Sequence, residues 1–137
     1  MFCDALGVTD NLQQRLDQAW SSVLARIDWG TAERNARYDV LVAEAARRAE
    51  LRGLFPFTSH ARLCFSRCSD YPFTFDCPCI AFYPDGYLVQ ATWAVSDQPS
   101  PLLLSTTEDV QLAVDVLVQN LPDDRSAWVG TSERRLN

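Results

Sequence analysis

The sequence predicts an α+β fold: an antiparallel sheet of three to four strands with an N-terminal helical hairpin and one C-terminal helix packed on one face. Three observations carry this expectation. The first thirty residues hold an apolar run at helical spacing, an Asp-Gly pair divides two apolar stretches near the middle, and a second helical run ends in Leu121-Pro122.

In the first run, Leu12, Leu16, Ala19, Trp20, Val23, Leu24 and Ile27 recur at helical intervals, with Thr9 or Asp10 placed as cap. A second helix is expected from the N-cap Thr31 to about Arg52, burying Tyr38, Leu41, Val42, Ala45 and Ala49, with Gly53 as its C′ residue. The short Asp28-Trp29-Gly30 link makes the two an antiparallel hairpin. Phe55, Pro56 and Phe57 are expected to turn the chain into a first strand over residues 61–66. Strands over 79–83 and 87–93 flank Pro84, Asp85 and Gly86 as a hairpin. Pro99 and Pro101 break the next loop, and residues 102–104 are a candidate strand. Thr106 or Thr107 caps the last helix, which carries Val110, Ala113, Val114, Leu117, Val118 and Leu121. Val129 is a candidate edge strand and 132–137 a polar tail. The chain therefore divides into a helical hairpin (1–53), a sheet plus helix (54–131) and a tail, all in one domain (1–137). The expected core is Leu16, Trp20, Leu24, Leu41, Leu63, Phe65, Phe82, Val89, Val114 and Leu117.

A chain of 137 residues, 47% hydrophobic and 22% charged, can bury one ordinary core unaided. Its formal charge of −6 repels phosphate backbones and anionic lipid, which argues against nucleic acid and membrane surfaces as partners. The first ten residues carry no basic and apolar export pattern, and no stretch is apolar enough for a membrane helix, so a cytoplasmic protein is expected. The five cysteines (Cys3, Cys64, Cys68, Cys77, Cys79) are then expected as reduced thiols.

The single histidine, His60, is the candidate catalytic group. It alternates with Arg62, Cys64 and Ser66, so a strand here would project all four from one sheet face while Leu63 and Phe65 enter the core. A nucleophilic pair of His60 and Cys64 is disfavoured, because four strand residues separate them by about 13 Å. Cys68 would need a turn to approach His60. A zinc site from Cys64, Cys68, Cys77 and Cys79 is the alternative use of the thiols. Their C-x3-C and C-P-C spacing is not that of paired knuckles, and the preferred reading makes Cys64 and Cys79 small buried hydrophobes. Between two strands, Tyr71, Phe73 and Phe75 alternate within an acidic segment that either lines a groove or covers the core. Arg62 and Arg67 suit a carboxylate or a peptide backbone. No phosphate-loop, dinucleotide, zinc-protease or nucleophile-elbow motif occurs, and no cofactor is expected.

The run Leu51-Arg52-Gly53-Leu54-Phe55-Pro56-Phe57-Thr58-Ser59-His60, followed by Leu63, Phe65 and Ser66, resembles a signature of small actinobacterial natural product biosynthesis proteins. The pattern extends through the hairpin and last helix to Val129-Gly130. That family is similar to the proteins that form the lysinoalanine crosslink of cinnamycin-type lantibiotics. The resemblance implies a homodimeric template that folds a modified precursor peptide and promotes addition of a lysine amine to a dehydroalanine. It assigns peptide contact or scaffolding to Phe57, Thr58, Ser59, His60 and Ser66. Arg62, Cys64 and Cys68 depart from the family's pattern. A non-catalytic module that binds or sequesters a peptide or small natural product intermediate is the alternative, and a zinc-stabilised interaction domain is a third.

Overall fold

The computed structural model describes residues 2–25, 27–92 and 102–133, with side chains from residue 11 onward. Three helices, α1 (Phe2–Leu24), α2 (Ala32–Ala46) and the single turn α3 (Ala49–Arg52), precede five strands. These are β1 (Phe55–Thr58), β2 (Arg62–Ser66), β3 (Cys79–Tyr83), β4 (Gly86–Gln90) and β5 (Leu103–Thr107), and helix α4 (Val110–Gln119) follows. The strands pair in chain order as an antiparallel meander. The α+β architecture is the expected one, with one strand more than anticipated.

One sheet face is the inner one. Leu63, Phe65, Ile80, Phe82, Tyr87 and Val89 alternate along β2, β3 and β4 and are almost fully buried against Trp20, Val23, Leu41, Val114 and Leu117 of the helices. The helical spacing of Leu16, Trp20 and Val23 turns one stripe of α1 inward, and Trp20 Nε1 donates to Leu54 O at 3.2 Å. Tyr38 of α2 donates its hydroxyl to Val23 O, which ties the two helices together. Leu24, expected in the core, is 47% exposed because α1 ends there.

Several boundaries differ from expectation for identifiable reasons. Helix α1 begins at Phe2, so Thr9 and Asp10 lie within it rather than at its start. The second helix ends at the C-cap Arg47, and the extended backbone of Arg48 (φ −93°, ψ 118°) lets that residue bridge Glu44 of α2 and Asp115 of α4. Thr106 and Thr107 are strand residues paired with Leu88 and Tyr87, and Asp109 caps α4 by accepting from Gln111 N and Leu112 N. The β3–β4 turn is Pro84-Asp85, and Gly86 is already paired with Tyr83. A Cβ on Gly86, whose φ is +154°, would lie 2.9 Å from Thr107 O, so glycine lets β5 come in close. Trp93 and residues 134–137 lie outside the described residues.

The largest correction is β1. Instead of turning the chain, Phe55–Thr58 pairs along β2, with Pro56 tolerated because the strand is at the sheet edge. The turn comes later: Ser59 and Arg62 exchange both backbone bonds (3.1 and 3.0 Å) around His60 and Ala61, whose φ angles are 51° and 58°. Two successive positive φ values are the type I′ geometry that matches the strand twist.

Candidate functional site

The strand pleat sends the other set of side chains to the outer sheet face. Phe57 is directly opposite Cys64, and Cys79 is directly opposite Gln90. Arg62 faces Ala81, Ala81 faces Leu88, and Leu88 faces Thr106. The middle of this face is built from small residues, since Cys64, Cys79 and Ala81 are buried at 1% exposure or less.

Two structures cover that low floor. Phe73, from the loop after β2, stacks on Phe57 with ring centroids 4.3 Å apart at 24°, and the pair packs over Cys64 and Cys79. Tyr71 meets Phe73 edge-on at 5.8 Å and is itself 73% exposed. From the other side, Arg62 reaches across β3 and donates through Nε to Gln90 Oε1 at 2.9 Å. Two strand spacings amount to about 9.6 Å, so the Arg62 stem must lie along Ala81. Arg62 is half-buried and has no ion-pair partner among the described residues, whereas Arg15, Arg37, Arg47, Arg48 and Arg67 all have one. Further along the same face, Tyr83, Gly86, Leu88 and Thr106 line a cleft of about 480 Å³ with Asp85, Tyr87, Thr107 and Glu108.

The loop that presents Tyr71 and Phe73 is pinned from inside. Ser66 Oγ, fully buried, accepts from Cys68 N and Thr74 N, both at 3.1 Å, and Thr74 Oγ1 accepts from Arg67 N at 3.0 Å. The Cys68 thiol donates to Asp70 O and Pro72 O. Arg67 binds Asp76 and Asp124 and lies 5.4 Å from the Trp128 ring centre. Residues 128–132 run alongside the loop: Ser69, Asp70 and Ser132 donate backbone N–H to Trp128 O, Gly130 O and Pro72 O. Instead of the edge strand expected at Val129, this segment makes an isolated parallel bridge between Cys68 and Trp128.

The expected site residues are thus brought together only in part. Phe57, Arg62, Tyr71 and Phe73 share the outer face. Phe75, 43% exposed, continues the segment, and its carbonyl accepts from Thr92 Oγ1. Thr58 faces the opposite way, beside Leu63. Ser59 and His60 occupy the hairpin turn, with His60 exposed rather than in the strand. Ser66, expected on a polar surface, is buried because the loop folds back over it. Cys68 sits beyond the far end of β2 from His60, so the two do not approach. The four-thiolate alternative is likewise overturned by geometry. Cys64 and Cys79 lie on the outer face, Cys77 in the main core and Cys68 inside the loop, and no group of three or more metal-ligating residues is gathered among the described residues. Burial pushes the Cys77 thiol up to about 12. Gln90, which positions Arg62, was not foreseen, because its role depends on a register across three strands.

Residues 15–131 match the model of a family of unknown function, DUF6193. The chain belongs to that family. No curated protein and no solved structure gives a significant match. The DUF6193 match takes in all five strands, the Arg62 and Gln90 pair, the aromatic loop and the 128–131 segment that holds it. No described helix is long and apolar enough to cross a membrane.

Proposed function

We propose that the outer sheet face binds a peptide-like ligand, and that the protein serves natural product maturation as a cytoplasmic, homodimeric template for a lysinoalanine-type crosslink in a ribosomal peptide. The observation that carries this reading is the half-buried Arg62 guanidinium, without an ion-pair partner among the described residues, on the face that holds the Phe57, Phe73 and Tyr71 cluster. A planar donor fork suits a carboxylate or peptide carbonyls, and the rings offer apolar contact at modest entropic cost. The reaction adds the lysine N–H across the dehydroalanine double bond: nitrogen bonds to the β carbon and a proton goes to the α carbon. The chain contains no lysine, so the amine belongs to the substrate. Holding two groups of one peptide in contact is work for a shaped surface rather than a strong base. His60, at the rim of the face, is the candidate proton acceptor. The sheet edge at β5, with Leu102 and Leu103 exposed, supports pairing with a second copy.

A non-catalytic binding module is the second reading. It is favoured by the burial of Ser66, Cys64, Cys68, Cys77 and Cys79, which among the described side chains leaves His60 exposed while these hydroxyl and thiol groups are not.

The test is incubation with a dehydrated precursor peptide, followed by titration of the remaining dehydroalanine with an external thiol, since the addition leaves the mass unchanged. Loss of dehydroalanine in wild type, slowed by roughly one to two orders of magnitude in His60→Ala, supports the template; an essential base would cost about 10² to 10⁴. Binding without loss of dehydroalanine establishes the second reading. Neither binding nor turnover would sink both.

A further inference from the structure

The register of β2 and β3 places Cys64 opposite Cys79. Arg62 pairs with Ala81 and Leu63 with Ile80, so the next positions along the same ladder are Cys64 and Cys79. Phe82 N donates to Ala61 O, which makes Ala61 and Phe82 a hydrogen-bonded pair; counting on from it, Cys64 and Cys79 fall at a non-hydrogen-bonded position. Opposed residues there have Cα atoms about 4.5 Å apart, inside the range a disulfide spans. One step further, Phe65 would meet Pro78, which has no N–H to donate, so the ladder stops and the thiol pair closes its end.

We propose that Cys64 and Cys79 form a redox-active dithiol, a modification site that closes to a cross-strand disulfide on reaction with a hydroperoxide. The two sulfurs form a separate buried cluster beneath Phe57 and Phe73, and these two rings, themselves only partly buried, are its cover on the outer face. Their surroundings differ as the chemistry requires. Contact with Cys64 holds the Cys79 thiol below its ordinary range despite burial, with Arg62 nearby adding to the effect, while contact with Cys79 and burial push Cys64 up; the Cys64 S–H itself points at Arg62 O, 3.9 Å away. The Cys79 thiolate attacks a peroxide oxygen, the O–O bond breaks, and the leaving oxygen departs as water or alcohol, which gives a sulfenic acid. Cys64 sulfur then attacks Cys79 Sγ, the S–O bond breaks, and the hydroxyl takes up the Cys64 proton and leaves as water. Two electrons pass from the dithiol to the peroxide. In the oxidised form Cys79 no longer donates to Gln90 Oε1, which it meets at 3.7 Å as a thiol, and the new bond fastens β2 to β3 where Pro78 leaves the ladder short.

The inference is independent of any peptide ligand. Reduced protein is treated with hydrogen peroxide, quenched, unfolded, labelled with a maleimide and mapped by mass spectrometry. Expected is a linked pair of peptides containing Cys64 and Cys79, lighter by two hydrogens, unlabelled at both positions and restored by dithiothreitol. Phe73→Ala should speed its formation, and Cys64→Ser should stop the reaction at a sulfenic acid on Cys79 that a dimedone probe traps. The proposal is overturned if both thiols stay maleimide-reactive in wild type after prolonged peroxide. It is equally overturned if Cys64 or Cys79 is found linked instead to Cys3, Cys68 or Cys77. The wild-type map decides the matter even if Phe73→Ala does not fold.

Discussion

Arg62 spans from β2 to Gln90 on β4, roofing Ala81 of the strand between them. One bond thereby fixes a cation over the outer face, above the buried Ala81. Replacing Arg62 by Ala should lower affinity for a carboxylate-bearing peptide by about tenfold, the loss of one charge-assisted contact worth about 1.5 kcal/mol or more. Arg62→Lys should not restore binding, because an ammonium cannot hold Gln90 and a planar ligand group together. Titration calorimetry on both variants checks this; full affinity in Arg62→Ala would remove the guanidinium from the site.

Ser66 behaves as an internal fastener. Its hydroxyl serves the amides of Cys68 and Thr74, so Ser66→Ala should cost about 1 to 3 kcal/mol and raise hydrogen exchange at those two amides. His60→Ala, on an exposed turn, should change stability by less than about 0.5 kcal/mol. Equal destabilisation by the two would contradict this division of roles.

Leu117 is fully buried in the main core, and Leu117→Ala should cost about 2 to 5 kcal/mol in denaturant unfolding. Leu24→Ala should stay within about 1 kcal/mol, since nearly half of Leu24 already faces solvent. A large loss at Leu24 would show that a face left open in this fold is covered in solution.

Alkaline pH should unfold the protein through its buried acids. Burial raises the Tyr38 hydroxyl from 10.0 to about 12 and the Cys77 thiol from 9.0 to about 12. Above pH 9 the unfolded chain therefore holds fewer protons than the folded one. The stabilisation is whole below that pH and is lost as pH rises towards about 12. The absence of lysine keeps this window free of ammonium titration. Urea midpoints measured across it should decline steadily, and more shallowly in Tyr38→Phe; a flat wild-type profile would contradict the assignment.

Much of the fold was legible because its signals are local. The spacing of Leu16, Trp20 and Val23 and the run from Val110 to Leu117 are helical periods that tertiary packing reinforces. The β1–β2 hairpin was hidden because His60-Ala61 occupies a turn that usually advertises itself as Asn-Gly, and Phe-Pro-Phe looks like a break until an edge strand accommodates its proline. The site followed the same rule. Alternation placed Arg62 correctly on the outer face, but it also placed Ser66 there as a surface group, because no local pattern shows that residues 67–74 return to cover it. The opposition of Cys64 to Cys79 depends on pairing register, which single-strand patterns do not contain.

The 128–132 segment has a further meaning for the order in which the molecule is made. Gly130 reaches back 61 residues to the Ser69 hydroxyl, and the segment around it supplies or receives backbone bonds at Arg67, Ser69, Asp70 and Pro72, the first half of the aromatic loop. The inner sheet face needs Val114 and Leu117 of α4 to complete its core, so β1 to β4 close as a unit with that helix once it has left the ribosome. The loop that carries Tyr71 and Phe73 waits longer still, for the clasp at 128–132. Its aromatic cover over the outer face is therefore among the last parts of the fold to be fixed as the chain is made.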